Sequence, residues 1–210
     1  MAKFYAVRVG RTPGVYTTWA ACTEQVKGFS GAVYKSFATV QEAEAFLAGA
    51  QPSQPVTNEQ IETMIKALDD ETMIAFVDGS YDKTHRYYSY GAILLTADGM
   101  SERHASNNDP LYVEARNVAG EIEGVKAAIT AALEQGYRKL HIFYDYAGIE
   151  KWAVGDWRAN KPVSQAYVTF INGLPKTLEL TFVKVAAHTG ILYNELADEL
   201  AKKAIQEQIS

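Results

Sequence analysis

Cysteine is nearly absent from this chain, which has only Cys22 among its 210 residues. That excludes an intramolecular disulfide and any zinc site built from several thiolates. Cys22 itself is expected to be a small buried hydrophobe on a short helix. Long apolar runs are missing too, so no segment is expected to span a bilayer. The opening MAKFYAVRVG alternates apolar and polar residues without the hydrophobic stretch of a secretory signal. A cytoplasmic protein that is not exported is the expectation. Positive charge is also short, with 20 Lys and Arg against 25 Asp and Glu and a net charge of −5. A generally basic, phosphate-gripping surface is therefore excluded. The distribution is uneven, however. Up to residue 50, Lys3, Arg8, Arg11, Lys27 and Lys35 face only Glu24, Glu42 and Glu44, a local excess of two positive charges. From Glu71 onward acids predominate.

What is present reads as two domains. Residues 3–9 alternate as a strand, 10–14 form a turn, 18–26 a short helix, 32–37 a second strand and 39–48 a second helix. This block, 1–48, is near the lower size limit for independent folding. GAQPSQP then marks a boundary, and residues 49–70 form a linker that is partly helical. Thr57 and Gln60 have capping-box spacing, and Ile61, Met64, Ile65 and Leu68 share one helical face. Whether that face packs on the second domain or hangs free is left open by the sequence.

The second domain, 71–210, begins with strand-like runs at 73–77, 87–95 and 100–105, joined by turns bearing Gly79 and Asp98-Gly99. A long helix comes next over 111–135, stopped by Gly136. Strands at 141–144 and 178–185 and a final helix over 192–209 complete the pattern. Three antiparallel strands followed by helix, strand, helices, strand and helix imply an α/β fold with a mixed five-stranded sheet flanked by helices.

Asp78 closes the first strand in IAFVDGSY, and Asp145 closes the fourth in LHIFYDY. Adjacent strands with acids at corresponding ends bring both carboxylates into one cleft, where Gly79 is expected to turn the backbone. Glu121 lies on the long helix after Gly120, and Asp198 on the last helix among apolar neighbours. One acid at a strand end is usually a turn former. Four converging carboxylates repel one another and need cations, and all-oxygen ligands suit hard divalent ions such as Mg2+.

The second domain resembles type 1 ribonuclease H over residues 74–204, through VDGSY, NVAGE, YDYAGIEKW and KVAAHTGILYNELADELAKKA in that order. FYAVRVGRTPGVYTTW with VYKSFAT resembles the RNA–DNA hybrid-binding domain that often precedes this enzyme. The resemblance implies that Asp78, Glu121, Asp145 and Asp198 hold two Mg2+ ions, with Mn2+ a substitute, for hydrolysis of the RNA strand to 5′-phosphate and 3′-hydroxyl ends. It implies that His188 assists proton transfer or product release, and that Asn194 orients the His188 segment or a water. Asn194 also reads as an ordinary residue of a helix start. The resemblance implies that Asn117 contacts the substrate and that Trp19, Tyr34 and Lys35 grip the hybrid, while Gly79 and Ser80 are placed beside Asp78 to offer the substrate backbone or hydroxyl groups. Three positions depart from the pattern: Val118 replaces a second Asn, Ala147 a Gln, and Ser36 a second Lys. Trp152 and Trp157 are expected to pack rather than stack on bases. The reading is a monomeric enzyme of primer and R-loop removal with an RNA–DNA hybrid as its partner. A hybrid-binding protein with a vestigial nuclease fold, and a resolvase or transposase of the same fold, remain rivals at this point.

Overall fold

The computed structural model describes residues 3–29, 31–37, 39–47, 56–185 and 190–209. The chain divides into two compact units, Met1–Gln54 and Pro55–Ser210.

In the first unit, β1 (Phe4–Val9) is the middle of a three-stranded antiparallel sheet, between β2 (Gly14–Tyr16) and β3 (Val33–Phe37). Alternation along β1 gives the sheet two faces. Val7 packs with Cys22 and Val26 of α1 (Trp19–Val26), with Tyr5 and Tyr16 alongside. On the other face α2 (Val40–Leu47) packs against β1, and the Arg8 guanidinium lies 5.2 Å from the Phe46 ring centroid. Thr18 caps α1 by accepting a hydrogen bond from the Ala21 amide at 3.2 Å. Strand β2 was not expected, because three residues carry too little alternation to register.

The second unit opens with α3 (Asn58–Lys66), whose capping box is formed: Gln60 N–H donates to Thr57 Oγ1, and Thr57 N–H donates to Gln60 Oε1. Its sheet runs β6-β5-β4-β7-β8, from β4 (Thr72–Asp82), β5 (Tyr87–Thr96), β6 (Gly99–Asn107), β7 (Lys139–Tyr144) and β8 (Glu179–Lys184). β4, β5 and β6 form antiparallel pairs, while β4–β7 and β7–β8 are parallel. This is the mixed five-stranded sheet that the element order implied. Met73, Ala75 and Val77 of β4 join the core beneath α4 (Asn117–Glu134) and α6 (Pro162–Asn172). Ile74 and Phe76 join the opposite core beneath α3 and α7 (Leu192–Ile209). The short α5 (Gly148–Ala153) comes after β7.

Two boundaries differ from expectation. The long helix starts at Asn117, not near residue 111, because Arg116 has φ 57°, which no α-helix accommodates, and a 3-10 turn at Val113–Ala115 precedes it. Strand β4 does not end at residue 77. Its ladder with β5 continues from Asp78↔Gly91 to Asp82↔Tyr87, so the chain turns after Asp82 rather than at Gly79.

Candidate active site

The parallel ladder of β4 and β7 ends at the pair Phe76↔Phe143. Asp78 and Asp145 each stand two residues further on, so the register delivers them side by side where β7 leaves the sheet. Alternation turns Asp78 to the α7 face and Gly79 to the α4 face. A Cβ on Gly79 would lie 2.2 Å from the Asn117 carbonyl oxygen and 2.5 Å from the Glu121 nitrogen. A Cβ on Gly120 would lie 1.9 Å from the Ser89 carbonyl oxygen. The role of Gly79 is thus to admit a helix, not to bend the strand. This glycine pair lets α4 press onto β4 and β5, and Glu121 comes through beside the two aspartates.

Asp78, Glu121 and Asp145 each offer a carboxylate oxygen within 4.8 Å of the others. Glu121 is 1% exposed, and its Oε2 has no hydrogen-bond partner among the described residues. Burial first, then the charges of Asp145 and Asp78, push the Glu121 carboxyl well above the usual range. A buried oxygen without a donor, in a group of three carboxylates that includes no His or Cys among the described residues, fits a hard divalent cation. Asp78 Oδ1 accepts a 2.6 Å hydrogen bond from the Gly79 amide, which fixes one side of that carboxylate.

Asp198 comes from the opposite face, on α7. The helix approaches β5 closely because Gly91, the ladder partner of Asp78, has no side chain: a Cβ there would meet the Ala197 carbonyl oxygen at 2.0 Å. Asp198 is outside the group of three whose oxygens lie within 4.8 Å, and its Oδ2 accepts from Lys202 Nζ at 2.5 Å. The hydrogen bond to Asp198 raises the pKa of Lys202, and the Asp78 charge adds to it. One ammonium therefore feels acids from both α7 and β4. Sequence reading missed Lys202, although its spacing of four from Asp198 is the signal of a helical ion pair.

Asn117 is exposed at the first turn of α4, and Ser80 is half-buried opposite Ser89. Asn194 is 6% exposed, and its Oδ1 has no partner among the described residues. His188 lies outside the described residues. Beside the acids, Val118, Tyr146, Trp152, Arg158 and Lys161 line a cavity of about 290 Å3. Burial first, then Glu121, raises the pKa of Tyr146, another residue that sequence reading passed over. Trp152 packs between Tyr146 and Trp157, with ring centroids at 5.8 Å and 6.2 Å, while Trp157 keeps an exposed edge.

In the first unit Trp19 is 51% and Tyr34 45% exposed, and their ring centroids lie 6.0 Å apart. They form a surface pair rather than part of the core. Lys35 is exposed as well, but alternation along β3 points it to the other face, where its Nζ lies 5.7 Å from the Phe37 ring centroid. The three residues are brought to one edge strand and helix, but not to one face.

The chain matches the RNase H family over residues 70–206 and the Ribonuclease H1 N-terminal domain over residues 3–47. Ribonuclease H1 of Rattus norvegicus is 25% identical over 262 aligned positions, which cover 99% of this chain and 90% of that protein. Ribonuclease H of Crithidia fasciculata is 67% identical over 45 residues, 21% of this chain and 9% of that protein. Among solved structures, LC11-RNase H1 in complex with RNA/DNA hybrid, from compost, superposes with a TM-score of 0.52 at 18% identity, covering 66% of this chain and 99% of that one. The carboxylates at the sheet edge and these matches lead to one assignment: the chain belongs to the ribonuclease H family, as a ribonuclease H enzyme with an RNase H1-type N-terminal domain.

Proposed function

We propose that this chain is an endoribonuclease that hydrolyses the RNA strand of RNA–DNA hybrids with two divalent ions, leaving 5′-phosphate and 3′-hydroxyl ends. The observation that carries the reading is the approach of Asp78, Glu121 and Asp145 from β4, α4 and the end of β7. With Asp198 they would hold Mg2+, or Mn2+ in its place. Such ions, when bound, supply charge neutralisation at a scissile phosphate and a more acidic water. No Ser or Cys nucleophile is then required. The chain's own residues set the geometry: Gly79 and Gly120 admit Glu121, the Gly79 amide fixes Asp78, and Lys202 balances charge beside Asp198. Asn117, Gly79 and Ser80 are assigned to the nucleic acid at the cleft, Asn194 to support of the His188 segment, and His188 to proton transfer or product release.

Residues 1–48 are assigned to the hybrid-binding domain, 49–70 to the linker, whose α3 is built into the second unit, and 71–210 to the catalytic domain. Trp19 and Tyr34 supply an exposed aromatic platform for the hybrid, with Lys35, on the other face of the sheet, reaching phosphate around the edge strand β3. The bound hybrid in LC11-RNase H1 supports the choice of substrate. Among the described residues no helix is long and apolar enough to cross a membrane. The working picture is a cytoplasmic monomer that removes primers and R-loops.

The test is an assay on an RNA–DNA hybrid, duplex RNA and duplex DNA, each with Mg2+ and with chelator, on the full chain and on Asp78→Asn. Cutting is expected only of the hybrid, only with metal and only in the unaltered chain, while Asp78→Asn still binds hybrid. Its turnover should fall beyond the roughly 10–100-fold that losing a supporting hydrogen bond costs a metal site. Cleavage of duplex DNA, or turnover retained in Asp78→Asn, rejects the proposal.

A further inference from the structure

Helix α3 lies in the stretch that joins the two units in sequence, yet it is built into the second. Ile61 is 3% exposed and sits in one core with Ile74, Phe76, Phe143, Val185 and Ile191, while Val56, Met64, Ile65 and Leu68 pack at its border. Two members of that core flank residues 186–189. Val185 is 1% exposed, and its amide donates to the Tyr144 carbonyl at 2.9 Å, one residue before Asp145. Ile191 is 6% exposed and leads into α7, which carries Asp198. Asn58, in the first turn of α3, donates from Nδ2 to the Gly190 carbonyl at 3.3 Å. Gly190 itself has φ 75°, a left-handed residue just before the helix.

The contact is narrow. A cleft of about 390 Å3 runs along the junction, lined by Asn58, Ile61, Glu62, Ile65 and Lys66 on one side and by residues 190–193 on the other. The body of α7 is held by the sheet, while Asn58 and Ile61 bear on the few residues that lead into it, so a single substitution on α3 loosens that end without detaching the helix. Linker compliance alone would not require this: a helix that served only as a tether would need neither a formed capping box nor a side chain 3% exposed.

We propose that α3 is a positioning element of the active site: through Asn58 and Ile61 it seats Gly190, Ile191 and the start of α7, and so helps to fix the placement of Asp198. This rests on the ribonuclease H reading of the site. Asn58 and Ile61 touch no reacting group; they act through α7.

The test compares Asn58→Ala, Ile61→Ala, the bulk-preserving Ile61→Leu and the unaltered full chain by amide hydrogen exchange of residues 194–198, the first bonded amides of α7, and by kcat and KM on a hybrid. In both alanine variants those amides should exchange faster, by roughly 10-fold for a loss of 1.4 kcal/mol of local closing free energy. Their kcat should fall several-fold with KM within about twofold, and Ile61→Leu should restore both readouts. Asn58 is exposed, so its replacement leaves the core intact even if Ile61→Ala loosens the fold. Unchanged exchange at 194–198 overturns the proposal, as does faster exchange or a lower melting temperature with kcat unchanged. Failure of the unaltered chain to cut hybrid would reject the enzymatic reading, and the exchange data would still decide whether α3 seats α7.

Discussion

Glu121 is almost wholly enclosed beside two other carboxylates, and burial, then Asp145, then Asp78 hold its proton on well above the ordinary range. An unfolded chain releases that proton near pH 4.3. The folded pKa is the higher one, so the contribution of this group to stability is full below about pH 4.3 and is lost as pH rises through the raised value. A divalent cation bound at the three carboxylates would reverse the loss by pairing with the charge. Glu121→Gln keeps the shape and removes the charge. In chelator at pH 7 the variant is expected to melt above the unaltered protein, by roughly 2–4 °C for each kcal/mol of conflict relieved. The gap should close near pH 4, and Mg2+ should stabilise the unaltered chain more than the variant. Thermal melts at both pH values, with chelator and with Mg2+, check this; an unaltered protein as stable as the variant at pH 7 in chelator sinks it.

At the scale of elements, the site depends on how closely two helices approach one sheet. α4 crosses β4 and β5 over Gly79 and Gly120, and α7 crosses β5 over Gly91. In Gly120→Ala the new Cβ would stand 1.9 Å from the Ser89 carbonyl oxygen and 3.0 Å from the Gly79 Cα, so backbone blocks it and no rotamer escapes. The helix must move, and Glu121 with it. A loss of about 1–3 kcal/mol or more is expected, with a fall in cleavage. Gly124→Ala on the same helix is the control, since its nearest contact is Tyr90 Cβ at 3.2 Å. Equal melting temperatures and turnover for the two variants would refute the account. These approaches explain what the sequence concealed. Alternation revealed the strands and the 3.6-residue period revealed α4 and α7, because both patterns are local. Asp78 was placed at a strand end because Gly79 looked like a turn residue, whereas the reason for that glycine is a helix some forty residues away in sequence. Likewise, nothing local says that Ile61 belongs with Phe76 and Ile191, or that Trp19 and Tyr34 stay at the surface. The face of Lys35, by contrast, was legible in the alternation of β3.

For the whole molecule, net charge and function pull in opposite directions. The chain carries −5, yet it is assigned a polyanionic substrate, and three of its acids gather where a cation could be held. Residues 1–50 carry the local positive excess. The cores of the second unit are made of that unit's own residues, Met73 to Leu178 on one face and Ile61 to Leu200 on the other. Deleting residues 1–54 should therefore leave the catalytic unit folded and cost binding alone. A tethered binding module raises the local concentration of substrate, so KM for hybrid should rise roughly 10-fold or more while kcat stays within about twofold. The salt dependence of binding decides how many phosphates the module holds. Arg11 donates to the Glu24 and Lys27 carbonyls and Arg8 lies over Phe46, so Lys3, Lys27 and Lys35 remain as exposed cations. The slope of log affinity against log salt should shrink on deletion by roughly 0.9 for each phosphate that the module neutralises, a total of between about 1 and 3. If the shortened chain binds hybrid with the same affinity and slope as the full chain, the N-terminal unit is not the grip, and the acidic second unit must hold the duplex by itself.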